Sequence, residues 1–184
     1  YTADRSTVNR VFFYGSGCGT PRSKDMVVKA LNKVFVNADF IDVREDTYAA
    51  VYATVKPGEK AIVCINGTGS NCSYFDGEQV MQSFDSLGYI IMDDFSGSNF
   101  GKAILKSYFL KVMPQDLSVL FDKTFDVSTD QVKEHLFKKP NPNAYLASFT
   151  AFLLEHKNTA FFQGMIHDKI QYFIDHYIKL YAAY

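Results

Sequence analysis

Apolar and polar positions change rhythm twice along this chain. In the first third, short apolar runs alternate with helical spacing. Val11-Phe12-Phe13-Tyr14 is a β-branched and aromatic run closed by Gly15-Ser16-Gly17, which predicts a strand and then a turn. After it Met26, Val27, Ala30, Leu31, Val34 and Phe35 recur at helical spacing over residues 24–35, with Ser23 as the expected N-cap. Residues 38–43 read as a second strand. Residues 46–54, with Ala49, Ala50 and Ala53, read as a helix stopped by Pro57-Gly58. This β-α-β-α order predicts an α/β sheet.

The middle of the chain behaves differently. Residues 60–65 form a continuous apolar run, as expected of a central strand buried on both faces. Gly67-Thr68-Gly69-Ser70 follows at once. Residues 72–75 and 79–83 then flank Asp76-Gly77, a two-residue hairpin signal. Tyr89-Ile90-Ile91-Met92 looks strand-like and leads to a helix starting near Ser98. From Gly101 onward the periodicity is helical, with Ile104, Leu105, Tyr108, Phe109 and Val112 on one face before Pro114. Further helices are predicted over 117–121, 129–137, 145–154 and 159–181, with a break at Pro140-Asn141-Pro142-Asn143. Nothing in this helical half reads as chemistry, so it is expected to be scaffold or a lid.

Charge and composition narrow the function classes. The 184 residues carry 19 Lys+Arg and 20 Asp+Glu, a net charge of −1, which argues against a nucleic-acid partner needing a basic stripe. No apolar run approaches a membrane span, and the start, Tyr1, has no signal-peptide pattern. Cys18, Cys64 and Cys72 are an odd number without metal-ligand spacing, which suits a reducing cytoplasm. Cys64 is expected to pack inside its strand. The aromatic share is 16%, with 17 Phe, 12 Tyr and no Trp. A small-molecule site is the default expectation. Oligomeric state stays open, a homodimer included.

Three segments carry candidate chemistry. Gly67-Thr68-Gly69-Ser70-Asn71 puts two glycines one residue apart where a strand ends, so the backbone can turn tightly and approach a ligand. Successive N–H groups in such a turn make an anion-binding concavity, and the hydroxyls add donors. The plain alternative is a Gly-rich turn without a ligand. Asp46 opens its helix after Glu45, either as a dipole-favoured terminal carboxylate or as a general base taking a hydroxyl proton in phosphoryl transfer. Asp93-Asp94 is either a solvated turn or a carboxylate presented to a pair of sugar hydroxyls.

Together these segments are more specific than any one of them. VCINGTGSNCSY over 63–74 and LGYIIMDDFSGSNFG over 87–101, with the Asp46 helix before them, resemble the N-acetylglucosamine kinase family. That family belongs to the ATPase group of the benzoyl-CoA reductase activators, within the actin/hexokinase-like superfamily. The resemblance covers roughly residues 11–102 well and the helical remainder more weakly. It implies an actin-like (ribonuclease H-like) α/β fold in two lobes, with residues 1–57 ending the first and 58–184 opening the second. It implies ATP and Mg²⁺ as cofactors, and an amino sugar phosphorylated on its 6-hydroxyl in a cleft between the lobes.

Site roles follow from the same resemblance. Asp46 falls on the catalytic base. Gly67, Thr68, Gly69 and Ser70 fall on the second phosphate motif, with Thr68 facing ATP phosphates. Gly69, Asn71 and Asp93 fall on sugar contacts, and Ser16, in FFYGSGC, lies near another. No metal-ligand set is assigned to the protein itself.

Departures from the family are equally plain. Met92-Asp93-Asp94-Phe95-Ser96 stands where the family reads Gly-Asp-Glu-Gly-Ser, and Phe95 is expected to need a different local backbone and to narrow the space beside Asp93. The family's acidic first phosphate motif and its adenosine motif have no counterpart, so the chain reads as an internal part of such a kinase. Two other function classes stay in view: a catalytically silent sugar- or nucleotide-binding protein of this fold, and an activator-type ATPase.

Overall fold

The computed structural model of the chain describes residues 4–184. The fold is mixed α/β and divides into two compact units. One is built from residues up to Val63 together with Ser73–Met81, the other from Cys64–Cys72 together with Gln82–Tyr184.

In the first unit, β1 (Arg10–Tyr14) and β2 (Phe40–Arg44) pair in parallel, from Arg10 opposite Phe40 to Tyr14 opposite Arg44. The crossover between them is α1 (Pro21–Val34), as parallel pairing requires. Its N-cap is Thr20 rather than Ser23. Thr20 Oγ1 accepts the Ser23 N–H at 3.2 Å, and Ser23 Oγ accepts the Thr20 N–H at 3.3 Å. Ser23 is thus the far corner of a capping box whose Pro21 needs no N–H partner, an arrangement worth ~1 kcal/mol. Of the predicted apolar face, Val27 and Leu31 are half-buried while Met26 and Val34 stay exposed. Helix α2 (Asp46–Thr54) begins at the predicted residue and buries Thr47 and Val51. Arg44 ties it to β2, donating to Asp42 and to the Tyr52 hydroxyl, each at 2.8 Å.

A second sheet has the order β3-β4-β5, with β3 at Ala61–Asn66, β4 at Ser70–Phe75 and β5 at Val80–Met81. Here the sequence expectation is overturned. The apolar run of β3 is an edge strand whose residues alternate half-buried and exposed, with Ile62, Cys64 and Asn66 outward. The central position belongs to β4, where Cys72, Ser73, Tyr74 and Phe75 are all buried. The β4–β5 turn is also longer than the predicted two residues. Phe75 pairs with Val80, and Asp76 closes the intervening loop by accepting the N–H groups of Glu78 and Gln79 at 2.8 and 2.7 Å.

The second unit is mostly helical: α3 (Gly97–Phe109), α4 (Gln115–Thr124), α5 (Thr129–Phe137), α6 (Pro142–Ser148), α7 (Thr150–Glu155) and α8 (Ala160–His176), followed by a 3₁₀ turn at Ile178–Tyr181. Its aromatic residues concentrate in the core. Phe121 is fully buried, with the rings of Tyr108, Phe125, Phe149 and Phe152 centred 5.1 to 5.6 Å away. Each such ring stabilises the fold by ~2–3 kcal/mol through burial. Three expectations change here. Residues 89–92 form a turn closed onto the Gly88 carbonyl, with Ile90 and Ile91 exposed, not a strand. Val112 lies beyond α3. The helix expected over 145–154 is two, because the buried Phe149 sits between α6 and α7 and Thr150 Oγ1 turns to donate to the Gly97 carbonyl at 3.1 Å. No helix of the described residues is long and apolar enough to cross a membrane.

Helices α3 and α6 meet where a side chain cannot fit. A Cβ on Gly101 would lie 1.7 Å from the Leu146 carbonyl oxygen. Gly101→Ala should therefore push the helices apart and lower stability by about 3 kcal/mol, read as a drop in the urea midpoint. An unchanged midpoint would show that the contact is not close.

Candidate functional site

The Gly67–Gly69 connection between β3 and β4 is held from two sides. Internally, Gly67 N–H donates to the Gly69 carbonyl at 2.9 Å. Externally, its carbonyls cap helix α3: Gly97 N–H donates to Gly67 O at 2.8 Å and Ser98 N–H to Thr68 O at 3.2 Å. Ser96 Oγ takes the next amide, that of Asn99, at 3.1 Å. All peptides here are trans. Each carbonyl aimed at α3 therefore sends the N–H on the other side of its peptide plane the opposite way. Those N–H groups are Thr68 and Gly69, and among the described residues they donate to nothing. Two adjacent free amides, with the Thr68 hydroxyl exposed beside them, are what an anion-gripping turn needs.

Asp93 sits against the same turn. Its carboxylate accepts the Ser70 N–H, and a Cβ on Gly69 would fall 2.8 Å from Asp93 Oδ2. Any side chain at 69 would therefore have to displace that carboxylate. Asp93 has φ +63°, a left-handed conformation that Asp tolerates better than most residues. Burial, and secondarily the charge of Asp94, raise its pKa, partly offset by the Ser70 N–H.

Phe95 departs from expectation. Neither Met92 nor Phe95 has a positive φ, so replacing the family's glycines there needs no special backbone. The Phe95 ring packs on Phe100 and Phe173, centres 5.6 and 5.2 Å away, and its bulk joins the helical core. Its carbonyl accepts Asn66 Nδ2 at 2.6 Å, pinning the loop to the end of β3.

A network around Asp94 was not legible in the sequence. The Tyr177 hydroxyl donates to Asp94 Oδ2 at 2.5 Å, Asn99 Nδ2 reaches Asp94 Oδ1 at 3.5 Å, and Lys169 Nζ donates to Asn99 Oδ1. Burial lowers the Lys169 pKa, while the Asp94 charge works the other way. Burial and the bond to Asp94 push the Tyr177 phenol up. The helical half is therefore more than scaffold, since Tyr177, the C-cap of α8, holds the residue next to Asp93. The adjacent carboxylates were the only sequence signal.

The remaining candidates lie in the first unit. Asp46 is the first residue of α2, two positions past the end of β2. Ser16 is exposed in the turn two positions past the end of β1. Both sit at the carboxyl edge of the parallel pair, where open α/β sheets place ligands. The two loops touch: Gly15 N–H donates to Arg44 O at 3.0 Å, and a Cβ on Gly19 would meet Glu45 Oε1 at 3.1 Å. Thr47, next to Asp46, keeps a buried hydroxyl with no hydrogen-bond partner among the described residues. Asn71 is the second residue of β4. Cys64, expected to pack inside its strand, is exposed.

The chain thus joins a mixed α/β fold to a glycine turn and an adjoining carboxylate, the combination that the family resemblance implies. The chain is similar in structure to a Porphyromonas gingivalis protein described as a "Putative N-acetylglucosamine Kinase", with a TM-score of 0.90 and 30% sequence identity over 97% of this chain. It spans 62% of the length of that protein. No family model and no curated protein matches it.

The half-buried Asp93 carboxyl gives a pH signature. The folded chain holds this proton more tightly than the unfolded chain, so the contribution of Asp93 to stability falls as pH rises through its folded pKa. Asp93→Asn should therefore gain most relative to wild type near neutral pH and converge with it below the usual aspartate range, in urea midpoints measured across pH. A constant offset at every pH would mean that the carboxylate is not desolvated.

Proposed function

We propose that this protein is an ATP-dependent sugar kinase that phosphorylates the 6-hydroxyl of N-acetylglucosamine or a related hexose. Residues 1–57 belong to its first lobe and 58–184 to its second, in an actin-like arrangement. The observation that carries the reading is the Gly67–Ser70 turn, whose Thr68 and Gly69 amides are turned outward while Asp93 is fixed against it. The likeness to a protein described as such a kinase supports it.

In this reading the Thr68 and Gly69 N–H groups and the Thr68 and Ser70 hydroxyls bind phosphate oxygens, whose charge they match. Asp93 and Asn71, with the Gly69 backbone and Ser16, hold sugar hydroxyls. Asp46 takes the proton of the 6-hydroxyl as its oxygen attacks the γ-phosphorus, the bond from that phosphorus to the β–γ bridging oxygen breaks, and ADP departs. The fit to a nucleotide is good at the turn. The described residues include no group of three His, Cys, Asp or Glu side chains that could hold a metal ion. The nucleotide's own oxygens and water would then hold Mg²⁺, which neutralises developing phosphate charge when bound.

Two variants of the intact protein test the roles. Asp46→Asn should lower kcat by about 10²–10⁴-fold in an ADP-release assay while leaving sugar affinity unchanged. Wild-type turnover in that variant would remove Asp46 from the chemistry. Gly69→Ala should raise KM for the sugar, because its Cβ displaces the Asp93 carboxylate. Calorimetric binding of N-acetylglucosamine with no ADP release by the wild type would instead identify a silent binding protein.

A further inference from the structure

Two cysteines bracket the Gly67–Ser70 turn, and the kinase reading uses neither. Cys64 and Cys72 lie on the neighbouring strands β3 and β4, equally far on either side of Thr68, and their sulfurs are 3.6 Å apart. Cys64 is exposed and Cys72 fully buried. Both are free cysteines, and among the described residues they belong to no group of three metal-ligand side chains. To reach the covalent S–S separation of ~2.05 Å the sulfurs need close by only about 1.5 Å, within the range of small side-chain rotations.

The two thiols are chemically unequal. The Cys72 thiol beside Cys64 lowers the Cys64 pKa by stabilising its thiolate, whereas the same bond and burial push Cys72 up. An exposed sulfur with thiolate character next to a shielded one divides the roles of attacking and resolving thiol.

We propose that Cys64 and Cys72 form a reversible oxidative modification site, a dithiol that hydroperoxides convert to an intramolecular disulfide across the base of the Gly67–Ser70 turn. The Cys64 thiolate attacks one peroxide oxygen. The S–O bond forms as the O–O bond breaks, and the departing oxygen leaves as water, or as an alcohol from an alkyl peroxide, carrying the proton that Cys64 gave up. Cys64 is then a sulfenic acid. The Cys72 sulfur attacks it, the S–S bond forms, the S–O bond breaks, and hydroxide leaves as water with the Cys72 proton. Two electrons pass from the thiols to the peroxide, and a dithiol reductant reverses the change. The disulfide would tie β3 to β4 just below the turn and restrain the segment that carries the Thr68 and Gly69 amides. This site goes beyond the kinase reading and does not depend on it.

The test reads thiols, not phosphoryl transfer. Intact protein is treated with graded hydrogen peroxide, unfolded in denaturant containing N-ethylmaleimide so that the buried thiols are also blocked, and weighed by mass spectrometry, with dithiothreitol reversal. Wild type should lose two of its three maleimide labels together with the mass of two hydrogens, with Cys18 still labelled. Cys64→Ser, at an exposed position that leaves the core untouched, should keep both remaining labels at the same dose. Cys72→Ser should leave a sulfenic acid on Cys64 that dimedone traps. Circular dichroism checks the fold of that variant, and if it is unfolded the comparison of wild type with Cys64→Ser decides. The proposal is overturned if wild type keeps all three labels, if Cys18 is the residue oxidised, or if the disulfide links two chains instead of closing within one.

Discussion

The amides at the start of α3 govern the second unit. A helix begins with donors that have no partner inside it, and a buried start must find acceptors elsewhere. Here Gly97 and Ser98 find them in the carbonyls of Gly67 and Thr68, and Asn99 finds one in the Ser96 hydroxyl. The bonds satisfy the helix, fix the turn on the core through Phe100, Gly101, Ile104 and Leu105, and, because the peptides are planar, determine which way the turn's own amides face. The helix dipole and the free donors are thereby separated. The positive end of α3 is consumed by protein carbonyls, and the amides left without acceptors lie one peptide outward, at Thr68 and Gly69.

Asp93 is costly for the chain to hold. It combines a left-handed backbone with a carboxyl whose ionised form is disfavoured by burial. Conformations of that kind persist only where surrounding structure over-determines them. The surroundings are specific: Ser70 N–H on the carboxylate, glycine at 69 making room for it, Asn66 holding the carbonyl of Phe95, and Tyr177 and Asn99 holding Asp94. Phe95 contributes by the opposite means. Its ring anchors the segment in the core beside Phe173, so a residue that looked like an obstruction becomes the fastening.

Local signals in the sequence were read well where they are local in origin. The run at 11–14, the Asp46 helix start and the GTGS turn are set by neighbouring residues, and the structure places each where the pattern did. Failures share one cause: tertiary position decided them. The run at 60–65 has the composition of a central strand but lies at a sheet edge, while the true centre, Ser70–Phe75, is polar in half its residues. Ser23 was a sound cap candidate until Thr20, three residues earlier, completed a box with it. Lys169 lies on α8 and Tyr177 caps its end, and no spacing there announces that they meet Asn99 and Asp94 some 70 and 83 residues away.

The same contrast bears on Cys64 and Cys72. Read along the chain, an apolar strand ending in a glycine turn makes Cys64 a small hydrophobe among hydrophobes. Placed on an edge strand, it is an exposed sulfur against a buried one on the central strand β4. Any covalent tie at that place shares strands with the turn whose carbonyls cap α3. Movement there is therefore coupled to the helix start before it reaches any ligand. A turn fixed by two hydrogen bonds to a helix has little freedom to lose, so restraint of its strands would act chiefly on the remaining freedom of the Thr68 and Gly69 amides.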